Sequence, residues 1–245
     1  MIDRLKFSMK AMQMISRYQD ITANNLANIN TPGYKKDQLF FNAFQEQLNG
    51  QNVSDPIANQ QLNLEPGSLE STGNLFDFAI QGNGFFNINY EGQEMMSRNG
   101  RFSLDGDGFM RDENGGFVQG MSGDIFLPQI NDLRNESQQV NIDVGKDGTI
   151  RINDEIVDKI QLVTVDDPSQ IQRRTHSYLQ AQPGVDVYDD PDSLVNQGFY
   201  ESGNVNPLEE MIAMSQNMRL FESQQRAMQS NDEILQKVTT QLGKF

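Results

Sequence analysis

The sequence predicts an α+β protein with a long helix at each end and a central, mainly antiparallel β-domain. Apolar residues recur every seven positions near both termini, short β-branched or aromatic runs fill the middle between Gly, Asn and Asp, and charge divides the chain in the same way. The 245 residues carry a formal net charge of −15. Met1–Gly50 holds 6 basic and 4 acidic residues, Gln51–Asn206 holds 9 and 25, and Pro207–Phe245 holds 4 and 5, so the acidic excess belongs to the middle. Seventeen of the 20 glycines lie there too, whereas 8 of the 12 methionines lie in the two end segments. The expected organisation is a helix and bend over 1–34, an extended linker over 35–74, a β-domain over 75–200 and a C-terminal helix within 201–245.

At the N-terminus, Leu5, Met12, Ile15, Leu26 and Ile29 share one seven-residue lattice, with Ser8, Gln19 and Thr22 as its polar members. A helix over Asp3–Asn28 follows from it. The helix stops at Thr31-Pro32-Gly33-Tyr34, because a residue before proline avoids the helical region and Gly33 permits a turn. In the middle, Phe76–Ile80, Gly84–Tyr90, Gly116–Gln119, Val140–Val144, Thr149–Ile152 and Ile160–Val165 read as strands, and Lys146-Asp147-Gly148 as a hairpin turn.

The C-terminal repeat is the clearest. Met214, Phe221, Met228, Leu235 and Leu242 fall seven apart, and Met211 and Met218 occupy intervening seam positions. Asn206 can cap the helix start, Pro207 suits its first position, and Glu209 can complete a capping box. With no Gly or Pro before Gly243, about 36 residues can form a rod of about 54 Å. Periodicity alone leaves two uses for these stripes: a helical hairpin within the chain, or a coiled coil between chains.

Composition excludes several functions. An isoelectric point near 4.4 opposes general phosphate binding, so nucleic acid is not an expected partner. Without cysteine there is no disulfide, thiolate nucleophile or sulfur-ligated metal, and His176 as sole histidine removes multi-His metal sites. No run approaches the roughly 18 apolar residues of a membrane span, and Met1–Lys10 lacks the apolar core of a cleavable signal peptide, so membrane insertion is not expected and any export uses another route.

The segment Ala23-Asn24-Asn25-Leu26-Ala27-Asn28-Ile29-Asn30-Thr31-Pro32-Gly33-Tyr34-Lys35 resembles the N-terminal signature of bacterial flagellar rod and hook proteins. Two further stretches are similar to that family: Gly67 through Phe86, continuing over Arg98-Asn99-Gly100-Arg101-Phe102 and Asp105 to Val118-Gln119-Gly120, and Glu201-Ser202-Gly203-Asn204-Val205-Asn206-Pro207 with Met211, Arg219, Phe221, Glu222 and Asp232-Glu233. The resemblance implies a self-assembling axial subunit of the flagellar basal-body rod. Its terminal helices would pack as a coiled-coil core region, with copies of itself and other rod and hook proteins as partners. It also implies passage through the flagellar export apparatus without a cleaved signal, into a rod that crosses the periplasm. The 32 residues from Lys35 to Pro66 are fewer than the distal rod type usually carries, which points to the proximal rod type.

The resemblance thus assigns subunit contacts to Leu5, Met12, Ile15, Leu26, Ile29, Met211, Met214, Met218, Phe221, Met228, Leu235 and Leu242, and assigns no catalytic residue, cofactor or metal. Asn24, Asn25, Leu26, Ala27, Asn28, Thr31, Pro32, Gly33 and Tyr34 form its motif. Other chemistry in the sequence is weaker. Asp105-Gly106-Asp107-Gly108 with Asp112 and Glu113 has part of a calcium-loop pattern, but Phe109 stands at the third ligand position, so a solvated turn is the better reading. Gln81-Gly82-Asn83-Gly84 lacks the third glycine and the following helix of a dinucleotide loop. Asn135-Glu136-Ser137 is a bare glycosylation sequon, and His176 has no recognisable catalytic partner. The competing class is an acidic β-domain that binds a cation or a cell-wall glycan.

Overall fold

The computed structural model describes residues 2–48, 51–127, 141–175 and 177–242. His176, Val140 and the sequon Asn135-Glu136-Ser137 lie outside the described residues. The chain forms two compact units: Met1–Ala27, Asp37–Gln60 and Asn206–Phe245 make a helical unit, and Asn28–Lys36 with Gln61–Val205 make a β-unit.

In the helical unit, α1 spans Ile2–Ala27, β1 Asp37–Leu48, β2 Gln51–Leu62 and α2 Pro207–Leu242. Helix α1 packs along α2 and against β1, and β1 pairs with β2. Ser8, Met12, Ile15, Gln19, Thr22 and Leu26 of the repeat are covered, but so are Ala11, Met14, Tyr18, Ile21 and Asn25 beside them, while Gln13, Ser16, Arg17, Asp20 and Asn24 are exposed. The covered face of α1 is therefore wider than the stripe the repeat marks. Helix α2 begins at Pro207 as expected, with Asn206 Oδ1 accepting from the Leu208 N–H at 3.1 Å. Glu209 accepts from the Asn206 side-chain amide at 3.1 Å, not from its backbone N–H as a capping box would.

The residues expected to form an extended linker instead contain β1, β2 and the short strand β3 (Leu69–Ser71). Strand β1 is rich in Leu and Phe and so favours a sheet, but β2 contains Pro56, Asp55 and several Asn and Gln, which argue against a strand on propensity. Pairing with β1 overrides that preference.

The β-unit continues with β4 (Phe78–Gln81), β5 (Phe85–Tyr90), β6 (Gln93–Ser97), β7 (Phe102–Leu104), β8 (Met110–Asp112), β9 (Phe117–Gly120) and β10 (Gly123–Asp124). After the undescribed stretch come β11 (Ile142–Val144), β12 (Thr149–Ile152), β13 (Glu155–Lys159), β14 (Leu162–Thr164), β15 (Ile171–Thr175), β16 (Tyr178–Ala181), β17 (Tyr188–Asp189), β18 (Leu194–Gln197) and β19 (Phe199–Glu201). The largest sheet runs β15-β16-β6-β5-β9-β8-β7, with β14 added beside β5, β17 beside β14 and β10 beside β9. Separate ladders join β11-β12-β13, β18-β4 and β19-β3, and the registers are antiparallel.

Every predicted run contributes a strand, shorter by a residue or more at half of the ends. Ile160, for example, lies outside β14 and bridges Gly120. The Lys146–Gly148 turn joins β11 to β12 as expected, closed by Gly145 N–H to the Thr149 carbonyl at 2.9 Å. The main core gathers Phe78, Phe86, Ile88, Phe102, Val118, Ile125, Leu127, Ile150 and Ile160, and Phe86 meets Phe102 edge to face with ring centroids 5.1 Å apart. A second cluster of Phe85, Met96, Val163, Val165, Ile171 and Leu179 receives Leu62 and Leu64 from the end of β2 and just beyond.

Candidate functional site

The chain turns at the end of α1 because Pro32 cannot continue the helix and Gly33 adopts φ +65°, a left-handed conformation that favours glycine. The Thr31 N–H donates to the Asn28 carbonyl at 3.0 Å and the Tyr34 N–H to the Thr31 carbonyl at 3.3 Å. A Cβ on Gly33 would stand 2.2 Å from the Arg98 carbonyl carbon and the Asn99 nitrogen, so this glycine lets two backbones touch.

That close approach brings three distant segments around one carboxylate. Glu201, at the end of β19, is 1% exposed. Its Oε1 accepts from Lys35 Nζ at 2.6 Å and from the Gly67 N–H at 2.8 Å, while Oε2 accepts from Arg98 Nη1 at 3.3 Å. Lys35 also donates to the Glu65 carbonyl at 2.8 Å, and Arg98 Nη2 to the Gly82 carbonyl at 2.8 Å with its guanidinium 4.8 Å from the Phe85 ring centre. Lys35 and Arg98 are 1% and 2% exposed. Burial lowers the pKa of both cations, and the Glu201 carboxylate opposes that fall.

The backbone of the bend is held by the same part of the chain. Gly33 N–H donates to the Glu201 carbonyl at 2.7 Å and Asn204 N–H to the Tyr34 carbonyl at 3.2 Å. The Asn204 side chain accepts from the Lys36 N–H at 2.7 Å and donates to the carbonyls of Asn63 and Glu65 at 2.8 and 2.9 Å. Arg173 lies over the Tyr34 ring, 4.2 Å from its centre, and donates to the Lys35 carbonyl. Breaking a buried ion pair from one side costs on the order of 3–5 kcal/mol, because the remaining charge has no water.

The helical unit has its own polar lock. Asn25, 2% exposed, accepts from the Asp37 N–H at 2.9 Å and donates to the Asp37 carbonyl at 3.0 Å, satisfying both backbone groups at the start of β1. Its amide also reaches Glu210 of α2 at 3.4 Å. The asparagine motif is therefore divided in use: Asn25 is a buried brace, whereas Asn24 and Asn30 are exposed.

The seam residues also divide. On α2, Met214, Phe221 and Met228 are partly covered and share a helix face with buried Glu210, the residue that meets α1. Met211 and Met218 are 54% and 49% exposed, with Leu208 and Ile212 also open. Met12, Ile15 and Leu26 lie on the covered face of α1, Ile29 is partly buried in the bend, and Leu5, Leu235 and Leu242 fall within the two helices.

The acidic turn is filled by its own chain. Asp105 Oδ1 accepts from the Asp107 and Phe109 N–H groups at 3.0 and 2.9 Å, and Oδ2 accepts from Arg111 Nε at 2.6 Å; these contacts, led by Arg111, hold its pKa below the usual carboxylate value. Asp112 Oδ2 accepts from the Tyr178 hydroxyl at 2.6 Å. Burial and then this carboxylate push the Tyr178 phenol well above its ordinary range. In the glycine loop, Gly82 presents its carbonyl to Arg98, and Gly84 N–H donates to Ser193 Oγ at 2.9 Å.

Three family models match the segments that meet at Glu201 and extend from them. Flagella basal body rod protein matches residues 5–35, the flagellar hook protein FlgE/F/G D1 domain matches 79–152, and the flagellar basal body rod FlgEFG protein C-terminal matches 196–242. The flagellar basal-body rod protein FlgF of Mesorhizobium japonicum is 33% identical over 225 residues, covering 91% of this chain and 90% of that protein. The chain belongs to the flagellar basal-body rod protein family. FlgF of Caulobacter vibrioides is 27% identical and covers 100% of both chains, and FlgG of Buchnera aphidicola from Schizaphis graminum is 26% identical, covering 98% and 99%.

This family is structural, not enzymatic, and its site here is a set of braces. In this rod-family chain, the sequence pointed to Gly33 and Asn25 but gave no role to Lys35, Arg98 and Glu201 beyond family likeness. It did not single out Glu65, Arg173 or Glu210 at all. A lysine after Pro-Gly-Tyr reads as an exposed charge, and only the fold supplies its partner 166 residues away.

Proposed function

We propose that this rod subunit belongs to the proximal rod and assembles through both terminal helices, which pack as a coiled coil with copies of itself and with other rod and hook proteins. The observation that carries the reading is the end-to-end match to rod proteins named FlgF, which extends over 90% and 100% of two relatives. The short stretch from Lys35 to Pro66 supports the proximal assignment. The open flank of α2, with Leu208, Met211, Ile212 and Met218, supports lateral helix packing, since an amphipathic helix gains most of its stability by covering its apolar face. A filament needs contacts that do not close, and an apolar helical flank together with a separate acidic β-unit can supply two different surfaces.

The subunit reaches its place through the flagellar export apparatus as an unfolded chain without signal cleavage, into a rod that crosses the periplasm. Absence of cysteine is consistent with passage between redox compartments. Among the described residues no helix is long and apolar enough to cross a membrane, and the acidic middle disfavours nucleic acid.

Immunogold labelling of isolated basal bodies tests the position. Label at the membrane-proximal part of the rod is expected, and label next to the hook assigns the distal rod instead. Because the chain has no native cysteine, Met211→Cys supplies a single thiol to carry a photo-activated cross-linker that reacts with any neighbouring side chain. Linked subunits are expected in assembled basal bodies, and their absence there would overturn packing through this flank.

A further inference from the structure

The bend of the β-unit is held differently from the rest of that unit. Neither hydrophobic cluster includes a residue of the 28–36 segment, although Tyr34 and Lys35 are buried. Its anchors are polar, and most of them arrive from residues 201–204: the Glu201 carboxylate and carbonyl, the Asn204 backbone N–H and the Asn204 side chain. Glu201 is itself placed by the β19-β3 ladder, opposite Leu69, and the following Ser202 N–H donates to the Ser68 carbonyl at 2.8 Å. One carboxylate thus joins Lys35, the Gly67 backbone and Arg98, while the sheet core is completed by other residues.

We propose that Glu201 is a latch: its negative charge closes residues 33–36 onto the β-unit, and its loss releases that segment while the sheet stays folded. Without the carboxylate, Lys35 and Arg98 are two neighbouring buried cations. Opening the bend returns the lysine to water, a smaller change than dismantling a core the bend does not help to form. Arg98 keeps its Gly82 carbonyl and the Phe85 ring, so the sheet side of the cluster retains partners when the bend leaves. The latch also imposes an order. A chain made or delivered from its N-terminus cannot fasten its bend until residues 201–204 are present, immediately before α2 begins at Pro207. Closure therefore follows the arrival of residues 201–204, whichever part of the rod the subunit occupies.

Hydrogen exchange of the full-length protein tests this, with Glu201→Gln as the isosteric uncharged variant. Exchange of the amides of residues 33–36 is expected to rise at least tenfold and trypsin to gain a cut after Lys35, while β5, β6 and β9 exchange as in the parent. Glu201→Asp, which keeps the charge on a shorter stem, is expected to fall between the two. Unchanged exchange at 33–36 would overturn the latch, as would an equal rise across β5, β6 and β9. Should Glu201→Gln fail to fold, the parent protein in sub-denaturing urea decides: the bend is expected to open at lower urea than β5 and β6, and simultaneous opening overturns the proposal.

Discussion

The two units stabilise themselves by different means. In the β-unit the aromatic and β-branched residues close on one another, and even the charged groups Lys35, Arg98 and Glu201 are enclosed and paired. The helical unit covers one stripe of α1 and one of α2, secures them with the Asn25 brace, and leaves Leu208, Met211, Ile212, Met218 and Leu220 open. The first is a finished core. The second leaves its open apolar side chains along one helix, whereas those the β-unit exposes, such as Met121, Ile156 and Leu194, are spread over several strands and turns.

The largest effect should come from the β-unit core. Phe86→Ala removes a fully buried ring that packs against Phe102, and a loss of about 3–5 kcal/mol in unfolding free energy is expected by urea titration. A loss below about 1 kcal/mol would show that this core is not the main source of the unit's stability. Next in size is Asn25→Ala, which strands the Asp37 N–H and carbonyl in a buried place and should cost about 1–3 kcal/mol. Hydrogen exchange should locate that loss in α1 and the start of β1 while β5 and β6 stay protected. Uniform loss of protection would mean that the two units do not unfold separately.

A pH titration separates two opposing contributions within the β-unit, which holds both Tyr178 and Lys35. The folded state holds the Tyr178 proton more tightly than the unfolded chain, whose tyrosine ionises near 10, so this contribution is complete below that value and fades as pH rises above it. Lys35 acts in the opposite sense. Its pKa is lowered by folding, so the penalty of keeping it charged is fully present below the folded value and is relieved as pH climbs towards the ordinary lysine value. Tyr178→Phe should therefore be less stable than the parent by about 1–3 kcal/mol at neutral pH, with the gap narrowing as pH rises above about 10 in urea titrations at several pH values, and a gap independent of pH would remove Tyr178 from the account.

The smallest change in the isolated subunit is expected from Met211→Asp. Its side chain is half exposed, so unfolding free energy should move by less than about 0.5 kcal/mol while swimming is lost. Phe221→Asp is a less discriminating variant, because Phe221 is partly covered within the subunit and a charge there disturbs the monomer as well. Full motility in Met211→Asp would mean that the open flank of α2 is not used for assembly.

The helices and most of the β-unit were legible because their signals are local. A seven-residue repeat placed α2, Asn206 and Pro207 marked its first turn, and β-branched runs between glycines marked strands. Strand β2 was illegible because Pro56 and its polar neighbours carry no strand preference, and only the partner strand supplies the reason to extend. The site was half legible for a similar reason. Gly33 could be read as a turn residue from its neighbours, whereas the pairing of Lys35 with Glu201 depends on a close approach of backbones that no local pattern reports.

The uneven burial of methionine carries a chemical consequence. Met95, Met96 and Met110 are enclosed, but the thioethers of Met211 and Met218 stand in solvent, where an oxidant can convert each to a polar sulfoxide. Mild peroxide should therefore modify Met9, Met121, Met211 and Met218 before Met95, Met96 and Met110, as peptide mass analysis would show, and leave the fold intact. If the open flank of α2 packs against neighbours as proposed, incorporation would shield Met211 and Met218 from that chemistry.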